Sequence, residues 1–205
     1  MKNSCLQKRM TGNIGETKLM IVVKEEADWE IVKKFIKQED VNARNRSGFT
    51  ALMFAALCNS DHRIIRELIK VGAKVNIRSS LGRTPLMYAA RYNNVDVVDE
   101  LIEAGANVNA QEGLGRTALI YATENSENPD VVERLIEAGA SLEKTDRSGN
   151  NSLLWAIKNN ESIEIIDLLI QSGVNTNQTN EYGHTPDSLA ENHNQAAQLN
   201  TLLAN

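Results

Sequence analysis

A nine-residue segment that opens with glycine recurs along this chain at a nearly constant spacing. It reads GFTALMFAA from Gly48, GRTPLMYAA from Gly82, GRTALIYAT from Gly115, GNNSLLWAI from Gly149 and GHTPDSLAE from Gly183. The intervals between these glycines are 34, 33, 34 and 34 residues. A period of this length predicts a repeat protein, in which each copy forms one small unit and buries its apolar face only against its neighbours.

A second segment keeps phase with the first and lies near the end of each copy. It reads LIKVGAKVN up to Asn76, LIEAGANVN up to Asn109, LIEAGASLE up to Glu143 and LIQSGVNTN up to Asn177. One period before Gly48, Gly15 opens the related segment GETKLMIVV. The two segments predict a single repeat domain over residues 15–205, preceded by a flexible segment, residues 1–14. The domain divides into six units, of which the first and last act as caps: 15–47, 48–81, 82–114, 115–148, 149–182 and 183–205.

Unit 82–114 indicates how one copy folds. The Thr84 side chain can cap a helix, and Pro85 suits the first helical position. Ala89 and Ala90 then lie on one face, where their small side chains let a neighbouring helix approach closely. A second amphipathic stretch begins at residue 95, and Gly105 is placed to end it in the left-handed conformation. Each unit is therefore predicted to be a helix, a turn, a second helix and a projecting hairpin.

These copies resemble the ankyrin-repeat family, whose signature is a period of about 33 residues with a Thr-Pro-Leu-His-x-Ala core. The resemblance covers roughly residues 15–205, and Gly82 to Asn109 matches nearly position by position. It implies an all-α solenoid of helix-turn-helix units joined by projecting β-hairpin or turn fingers. In the family, the histidine of the core connects adjacent loops by hydrogen bonds. In this chain apolar residues take the place of that histidine, so we expect the adjacent loops to be held by packing instead of hydrogen bonds. These residues are Met20, Met53, Met87, Ile120 and Leu154.

The composition argues against several classes of function. The net charge is −5, whereas nucleic acids and anionic membrane surfaces attract basic proteins. The two cysteines, Cys5 and Cys58, lack disulfide-framework or metal-ligand spacing and favour a reducing compartment. Residues 1–14 lack the apolar run of a signal peptide, and no apolar stretch is long enough to span a bilayer. We expect a monomeric cytoplasmic protein, with secretion by a route that needs no signal left open.

No pattern in the chain predicts chemistry of its own. None of the histidines, His62, His184 and His193, lies at a metal-ligand or triad-like spacing from a cysteine or carboxylate. The glycine pair at Gly113 and Gly115 lacks the pattern of a phosphate-binding loop. We therefore expect no catalytic, cofactor-binding or metal-binding residues.

The resemblance implies where a partner would bind. In the ankyrin family, partners usually contact the tips of the fingers and the concave face of the first helix of each unit. Carried over residue by residue, the candidate partner-binding residues are Arg44, Arg46, Phe49, Arg78, Leu81, Arg83, Tyr88, Tyr92, Leu114, Arg116, Tyr121, Arg147, Trp155 and Tyr182.

Four aromatic residues occupy the same position in consecutive units: Phe54, Tyr88, Tyr121 and Trp155. One interpretation is a row of partner-binding anchors, since tyrosine and tryptophan are enriched among residues that dominate binding energy. The other, which we favour, is packing between neighbouring first helices.

Charge is distributed unevenly along each unit. The fingers carry six arginines (Arg44, Arg46, Arg78, Arg83, Arg116 and Arg147) against Glu112, Asp146 and Glu181, whereas the second helices lean acidic. We take this as a hypothesis that an acidic partner segment docks across the fingers, steered by their positive field. The alternative is that charged tips only keep the protein in solution.

The sequence thus predicts a non-enzymatic protein-protein interaction module that acts as a scaffold, adaptor or inhibitor. A host-directed effector and the regulatory subunit of an enzyme are alternatives that look the same at this level. The residue spacing opposes an enzyme in its own right, and the net charge opposes nucleic-acid binding. The repeat identifies a surface and leaves the partner open.

Overall fold

A computed structural model describes residues 15–25, 27–58, 61–92, 95–125, 129–159, 162–191 and 196–203. The predictions for residues 1–14 and for His193 fall outside these ranges. Within them the chain forms twelve helices and no strand, so the all-α prediction is confirmed. The helices are α1 (Lys18–Lys24), α2 (Trp29–Ile36), α3 (Ala51–Cys58), α4 (His62–Lys70), α5 (Pro85–Tyr92), α6 (Val95–Glu103), α7 (Ala118–Asn125), α8 (Pro129–Glu137), α9 (Ser152–Asn159), α10 (Ile163–Gln171), α11 (Pro186–Ala190) and α12 (Ala196–Leu203).

Contacts between residues group the chain into two compact parts, each of which contains several repeats. We call them the N-terminal half (residues 1–107) and the C-terminal half (residues 108–205). In the N-terminal half, α1, α3 and α5 pack side by side as inner helices. The outer helices α2, α4 and α6 each pack against the inner helix before them and form a second row. The C-terminal half repeats this pattern with α7, α9 and α11 inside and α8, α10 and α12 outside.

Small side chains let the inner helices approach one another. Ala55, Ala56, Ala89 and Ala90 are almost completely buried along α3 and α5. The residues in place of the family's histidine, including Met53 on α3, are also buried in all five units that carry them. Fully burying a side chain of this size contributes about 1.5–3 kcal/mol. Packing thus occupies the position from which the family's histidine would reach the neighbouring loop.

A polar side chain caps the start of most inner helices. The Thr84 hydroxyl accepts a hydrogen bond from the Met87 N–H at 3.4 Å, which confirms the predicted cap. Thr117 accepts one from the Ile120 N–H at 3.2 Å, and the Asn151 side chain accepts one from Leu154 at 3.0 Å. These bonds satisfy N–H groups that have no partner within the helix, and each such cap contributes about 0.5–2 kcal/mol.

The outer helices end where the sequence places Gly-Ala or a related pair. Gly105 has a φ of 84°, which L-amino acids with a side chain rarely adopt. Its N–H donates to the Ile102 carbonyl at 2.9 Å, and the Ala106 N–H donates to the Leu101 carbonyl at 3.0 Å. This pair of bonds is a Schellman motif, and it confirms the predicted end of the second helix in unit 82–114.

Three asparagine side chains bridge one repeat to the turn of the next, and we call these contacts the asparagine bridges. The Asn42 amide donates to the Gly72 carbonyl at 2.9 Å, and its carbonyl oxygen accepts the Lys74 N–H at 2.8 Å. Asn76 makes the same two bonds with Gly105 and Asn107, at 2.9 and 2.8 Å. Asn109 makes them with Gly139 and Ser141, at 2.9 and 2.7 Å.

The next position in this series is Glu143, which completes only half of a bridge. Its carboxylate accepts the Asn175 N–H at 3.3 Å. A carboxylate has no N–H to give, so the Gly173 carbonyl lacks the donor that Gly72, Gly105 and Gly139 receive.

We expect Glu143→Asn to raise the free energy of unfolding by about 0.5–1.5 kcal/mol, the usual net contribution of one hydrogen bond, because the amide can donate to Gly173. The reverse change, Asn109→Asp, keeps the shape and the acceptor but removes the donor, and it should cost about 1–2 kcal/mol. Urea unfolding followed by circular dichroism measures both. Unchanged midpoints in the two variants would show that the bridges do not stabilise the fold.

Candidate functional site

Each finger is a five-residue loop closed by one backbone hydrogen bond. The N–H of the first residue donates to the carbonyl of the fifth, at 2.9 to 3.1 Å. The five fingers so defined are 45–49, 79–83, 112–116, 146–150 and 180–184. Among the described residues these fingers are turns without strands, so the turn form of the predicted finger is the one observed.

The first residue of every finger is polar and buried, and its side chain organises the loop. Asp146 Oδ1 accepts the N–H groups of Ser148 and Asn150, both at 2.9 Å. Glu112 Oε1 accepts those of Leu114 and Arg116 at 2.9 and 3.1 Å. Asn45 and Asn180 hold their own loops in the same way. The Ser79 hydroxyl accepts the Arg83 N–H at 3.3 Å. Buried carboxylates and amides of this kind replace water as acceptors for the loop N–H groups.

Neighbouring fingers within each half are joined through their backbones. In the N-terminal half, the Ser80 N–H donates to the Ser47 carbonyl at 3.0 Å. In the C-terminal half, the Arg147 N–H donates to the Leu114 carbonyl at 2.9 Å. Glycine is needed beside this second contact, because a Cβ at Gly115 would lie 3.1 Å from the Asp146 Cα. Within each half, these bonds hold neighbouring fingers at a fixed spacing, and the tip side chains project from that frame.

The role of Glu112 and Asp146 corrects the charge balance inferred from the sequence. We counted both as acidic groups that offset the arginines of the fingers, but both are buried inside their loops. Of the three acids in that count, only Glu181 is exposed. The surface of the fingers is therefore more positive than their composition indicates.

Four arginines lie inside these fingers, and Arg44 and Arg78 each lie directly before one. The six fall into two groups. Arg44, Arg46, Arg78 and Arg147 are exposed. We call Arg44, Arg46 and Arg78, on neighbouring fingers of the N-terminal half, the basic edge. The Arg44 guanidinium donates to the Arg78 carbonyl at 2.8 Å, and that of Arg78 donates to the Gly82 carbonyl at 3.0 Å.

The remaining two arginines lie against aromatic rings. The Arg83 guanidinium is 6.0 Å from the centre of the Tyr88 ring, and that of Arg116 is 4.2 Å from the Trp155 ring. Arg116 also forms an ion pair with Glu124 at 3.0 Å, in which both side chains are mostly buried. These contacts engage both arginines within the fold, so they offer a partner less than the exposed four.

The aromatic row is buried. Phe54, Tyr88, Tyr121 and Trp155 are 1, 4, 1 and 8% exposed, and Phe49 is 5% exposed. Phe49 packs between the rings of Phe54 and Tyr88, with centroids 5.1 and 5.0 Å apart. The burial favours the packing interpretation, and none of these five rings belongs to the surface proposed below for the N-terminal half.

Two of these rings also hold a finger to its inner helix, which the sequence analysis missed. The Trp155 indole N–H donates to Asp146 Oδ2 at 2.9 Å, and the Tyr88 hydroxyl is 3.2 Å from the Ser79 hydroxyl. The signal was present in the sequence, because a hydrogen-bonding aromatic follows the first finger residue by nine positions in both units. Burial raises the pKa of the Tyr88 phenol above its ordinary value.

The apolar residues predicted at finger tips are accessible. Leu81 is 60% exposed, Leu114 50% and Tyr182 71%. Tyr92, at the end of α5, is 43% exposed, and the Arg91 guanidinium lies 5.2 Å from its ring. Large exposed apolar side chains on rigid loops are typical of surfaces that bind a partner.

One pocket of about 180 Å³ lies on the C-terminal half, and we call it the Trp155 pocket. It opens among three successive fingers and the inner helix α9. Its lining residues are Leu114, Arg116, Asp146, Arg147, Ser148, Asn150, Trp155, Lys158 and Tyr182. Five of these are among the candidate partner-binding residues predicted from the sequence, and Lys158 is not.

Two further properties of the described residues bear on other kinds of function. None of the described helices combines the length and apolar character needed to cross a membrane. Within the described ranges, no group of three or more His, Cys, Asp or Glu side chains is placed to hold a metal ion.

Comparison with known proteins points to one family. A family model of ankyrin repeats matches residues 19–112 and 109–180. An ankyrin repeat protein of Acanthamoeba polyphaga mimivirus is 40% identical over 85 residues, which cover 38% of this chain and 14% of that protein. One from Rickettsia bellii is 36% identical over 63 residues, which cover 31% of this chain and 37% of the relative.

A tyrosine-protein kinase of Hydra vulgaris is 34% identical over 69 residues, which cover 34% of this chain and 9% of the kinase. The chain thus matches well under two thirds of the length of each relative. The similarity covers only a small part of the kinase. Kinase activity is a property of that protein.

We expect Asp146→Ala to lower the free energy of unfolding by about 2–4 kcal/mol, because two loop N–H groups and the Trp155 indole lose their acceptor. Glu181→Ala is the matched control, since it removes an exposed acid from the next finger and should change stability by less than about 0.5 kcal/mol. Urea unfolding of both variants tests this difference. Equal losses in the two would mean that Asp146 does not organise its finger.

The raised pKa of Tyr88 predicts a dependence on alkaline pH. A phenol whose pKa is higher in the folded state stabilises the fold below its ordinary pKa of 10.0. That contribution is lost as the pH rises through the folded pKa. The wild-type protein should therefore lose stability relative to Tyr88→Phe between about pH 8 and about pH 11. Urea midpoints at both pH values measure the gap, and a constant gap would contradict the prediction.

Proposed function

Since the chain belongs to the ankyrin-repeat family, whose repeats generally serve as protein-protein interaction modules, we propose that it works by holding a partner protein against its fingers. The role is non-enzymatic, that of a scaffold, adaptor or inhibitor. A host-directed effector or the regulatory subunit of an enzyme would bind its partner through the same surface. For each of these roles, the first step is therefore to locate the surface that contacts the partner. The observation that carries the proposal is the exposed basic edge on a chain that is acidic as a whole.

The partner that fits this edge is an acidic segment. Residues 44–49 and 78–83, two neighbouring fingers with the residues before them, contain four arginines and no carboxylate. Such a local concentration of positive charge steers an acidic partner during encounter and disfavours basic ones. Arginine also presents several N–H donors in a planar fork, which matches a carboxylate with two parallel hydrogen bonds.

Two of these guanidiniums are oriented before a partner arrives. Arg44 and Arg78 donate to carbonyl oxygens of the fingers, and a carbonyl does not neutralise a positive charge. The guanidinium of Arg44 carries further N–H donors that can bind a carboxylate. Side chains that are already ordered lose less conformational entropy on binding, so more of the contact energy appears as affinity.

Apolar contacts can supply the rest of the interface. Leu81 projects from the same finger as Arg83, and Tyr92 is exposed at the end of the inner helix that follows. An aromatic residue near charged fingers resembles the combination of tyrosine and arginine that dominates many interfaces. The proposed surface of the N-terminal half therefore consists of the basic edge, Leu81 and Tyr92.

The proposal is tested by affinity capture from the source cells with quantitative mass spectrometry. The variant Arg44→Glu, Arg46→Glu, Arg78→Glu should lose specific partners by about tenfold or more, because repulsion replaces attraction at the contact. The control Lys18→Glu, Lys34→Glu, Lys37→Glu makes the same change of net charge at exposed positions outside the fingers. Circular dichroism confirms that both variants fold.

Partners kept by the control and lost by the edge variant would support the proposal. Losses that are equal in both variants would trace binding to net charge alone. Partners retained by both would move the contact surface away from the basic edge. Recovery from the wild-type protein should also fall as salt is raised, since exposed charges are screened.

A further inference from the structure

The floor of the Trp155 pocket is fixed before anything binds. The Trp155 indole is anchored to Asp146 at 2.9 Å, and the Arg116 guanidinium lies 4.2 Å from the ring centre. Arg116 is itself held by both oxygens of Glu124, at 3.0 and 3.2 Å. A ring locked on two sides cannot move aside, so a group entering the pocket meets a ready-made aromatic surface.

Two exposed apolar side chains form the walls. Leu114 and Tyr182 lie on the fingers before and after the one that begins at Asp146, and both line the pocket. Backbone hydrogen bonds of 2.9 Å (Arg147 to Leu114) and 3.0 Å (Glu181 to Ser148) join these three fingers. The pocket volume of about 180 Å³ slightly exceeds the roughly 150 Å³ of a cavity that binds benzene. The pocket therefore has room for one phenylalanine or leucine side chain.

The rim of the pocket presents positive charge. Arg147 and Lys158 are exposed, and neither forms an ion pair with any residue that the structure describes. The Lys158 ammonium lies 5.2 Å from the centre of the Trp155 ring. The third cation, Arg116, is already paired with Glu124. Arg147 and Lys158 are thus the two cations open to an incoming group.

The one carboxylate in the lining does not cancel this charge for a ligand. Asp146 Oδ1 accepts the Ser148 and Asn150 N–H groups, and Oδ2 accepts the Trp155 indole. Its side chain is buried beneath the finger, and both oxygens point to donors of the protein. Glu181 is exposed on the same finger as Tyr182 but does not line the pocket.

We propose that the Trp155 pocket receives one large apolar side chain, of the phenylalanine or leucine type, that lies next to a carboxylate in an acidic partner segment. The apolar group packs on Trp155 between Leu114 and Tyr182. The carboxylate contacts Arg147 and Lys158 at the rim. The inference rests on the proposed function, because its occupant is part of a bound protein, and it adds an anchoring site on the C-terminal half.

The two tryptophans of the chain, Trp29 and Trp155, allow a direct test by NMR on the full-length ¹⁵N-labelled protein. Each gives one indole N–H signal, Trp155→Phe assigns them, and Trp29 serves as an internal reference. The probes are N-acetylphenylalanine, its uncharged amide and N-acetylglycine, which supply ring and carboxylate, ring alone and carboxylate alone. At constant ionic strength, N-acetylphenylalanine should shift the Trp155 signal saturably and bind at least about fivefold more tightly than the other two.

Variants locate the two parts of the contact. Arg147→Gln with Lys158→Gln should reduce the affinity for N-acetylphenylalanine to that of its amide. Tyr182→Ser should reduce it toward that of N-acetylglycine. Lys34→Gln, an exposed change on α2 in the N-terminal half, should leave it unchanged.

Three results would overturn the proposal. The amide could bind as tightly as the acid, which would make the site purely apolar. Inorganic phosphate could give the same saturable shift as N-acetylphenylalanine, which would make it a simple anion site. The Trp155 signal could show no saturable shift with any probe. None of these three results would contradict the proposed function, because the capture experiment alters only residues of the N-terminal half. A failure of the capture experiment would likewise leave the NMR result for the pocket unchanged.

Discussion

A buried polar side chain at the base of each finger is the contact on which the exposed surface depends. Asp146 shows this most fully, because one carboxylate accepts two loop N–H groups and also anchors the Trp155 indole. Without such an acceptor, the loop N–H groups would need water, and a loop that turns toward water cannot hold its tip in one place. The exposed arginines and apolar residues are therefore displayed by buried groups at the base of their loops.

Arginine has two distinct uses in this protein. Arg116 stacks over Trp155 and pairs with Glu124, so its charge and its planar surface are both engaged inside the C-terminal half. Arg44 and Arg78 each donate to a carbonyl oxygen and remain exposed. A count of arginines in the sequence does not distinguish these two uses. The basic edge and the rim of the Trp155 pocket can be identified only after the arginines that pack inside the fold, such as Arg116, are excluded.

The sequence predicted the helices and their ends because the signals for them are local. The Thr84 cap and the Gly105 turn depend on backbone geometry within a few residues, and both are confirmed. Whether a polar group is buried depends on the neighbouring repeat, so Glu112 and Asp146 could not be told from solvated acids. The aromatic row was ambiguous for the same reason, since one spacing serves both packing and binding. The Trp155 pocket needs three fingers at once and has no signature in any one of them.

The asparagine bridges have a consequence for how such a chain can change over evolutionary time. Asn42 and Asn76 each donate to the glycine that follows the next outer helix, so the same contact recurs from one repeat to the next. When a whole repeat is duplicated or lost, the new neighbours can therefore form the same asparagine bridge. The remaining repeats need no change in sequence to keep it. Glu143 is the exception, because its carboxylate makes only half of the bridge to the following repeat. A duplication placed there would inherit a junction with one hydrogen bond fewer than a duplication placed at the bridges of Asn42, Asn76 or Asn109.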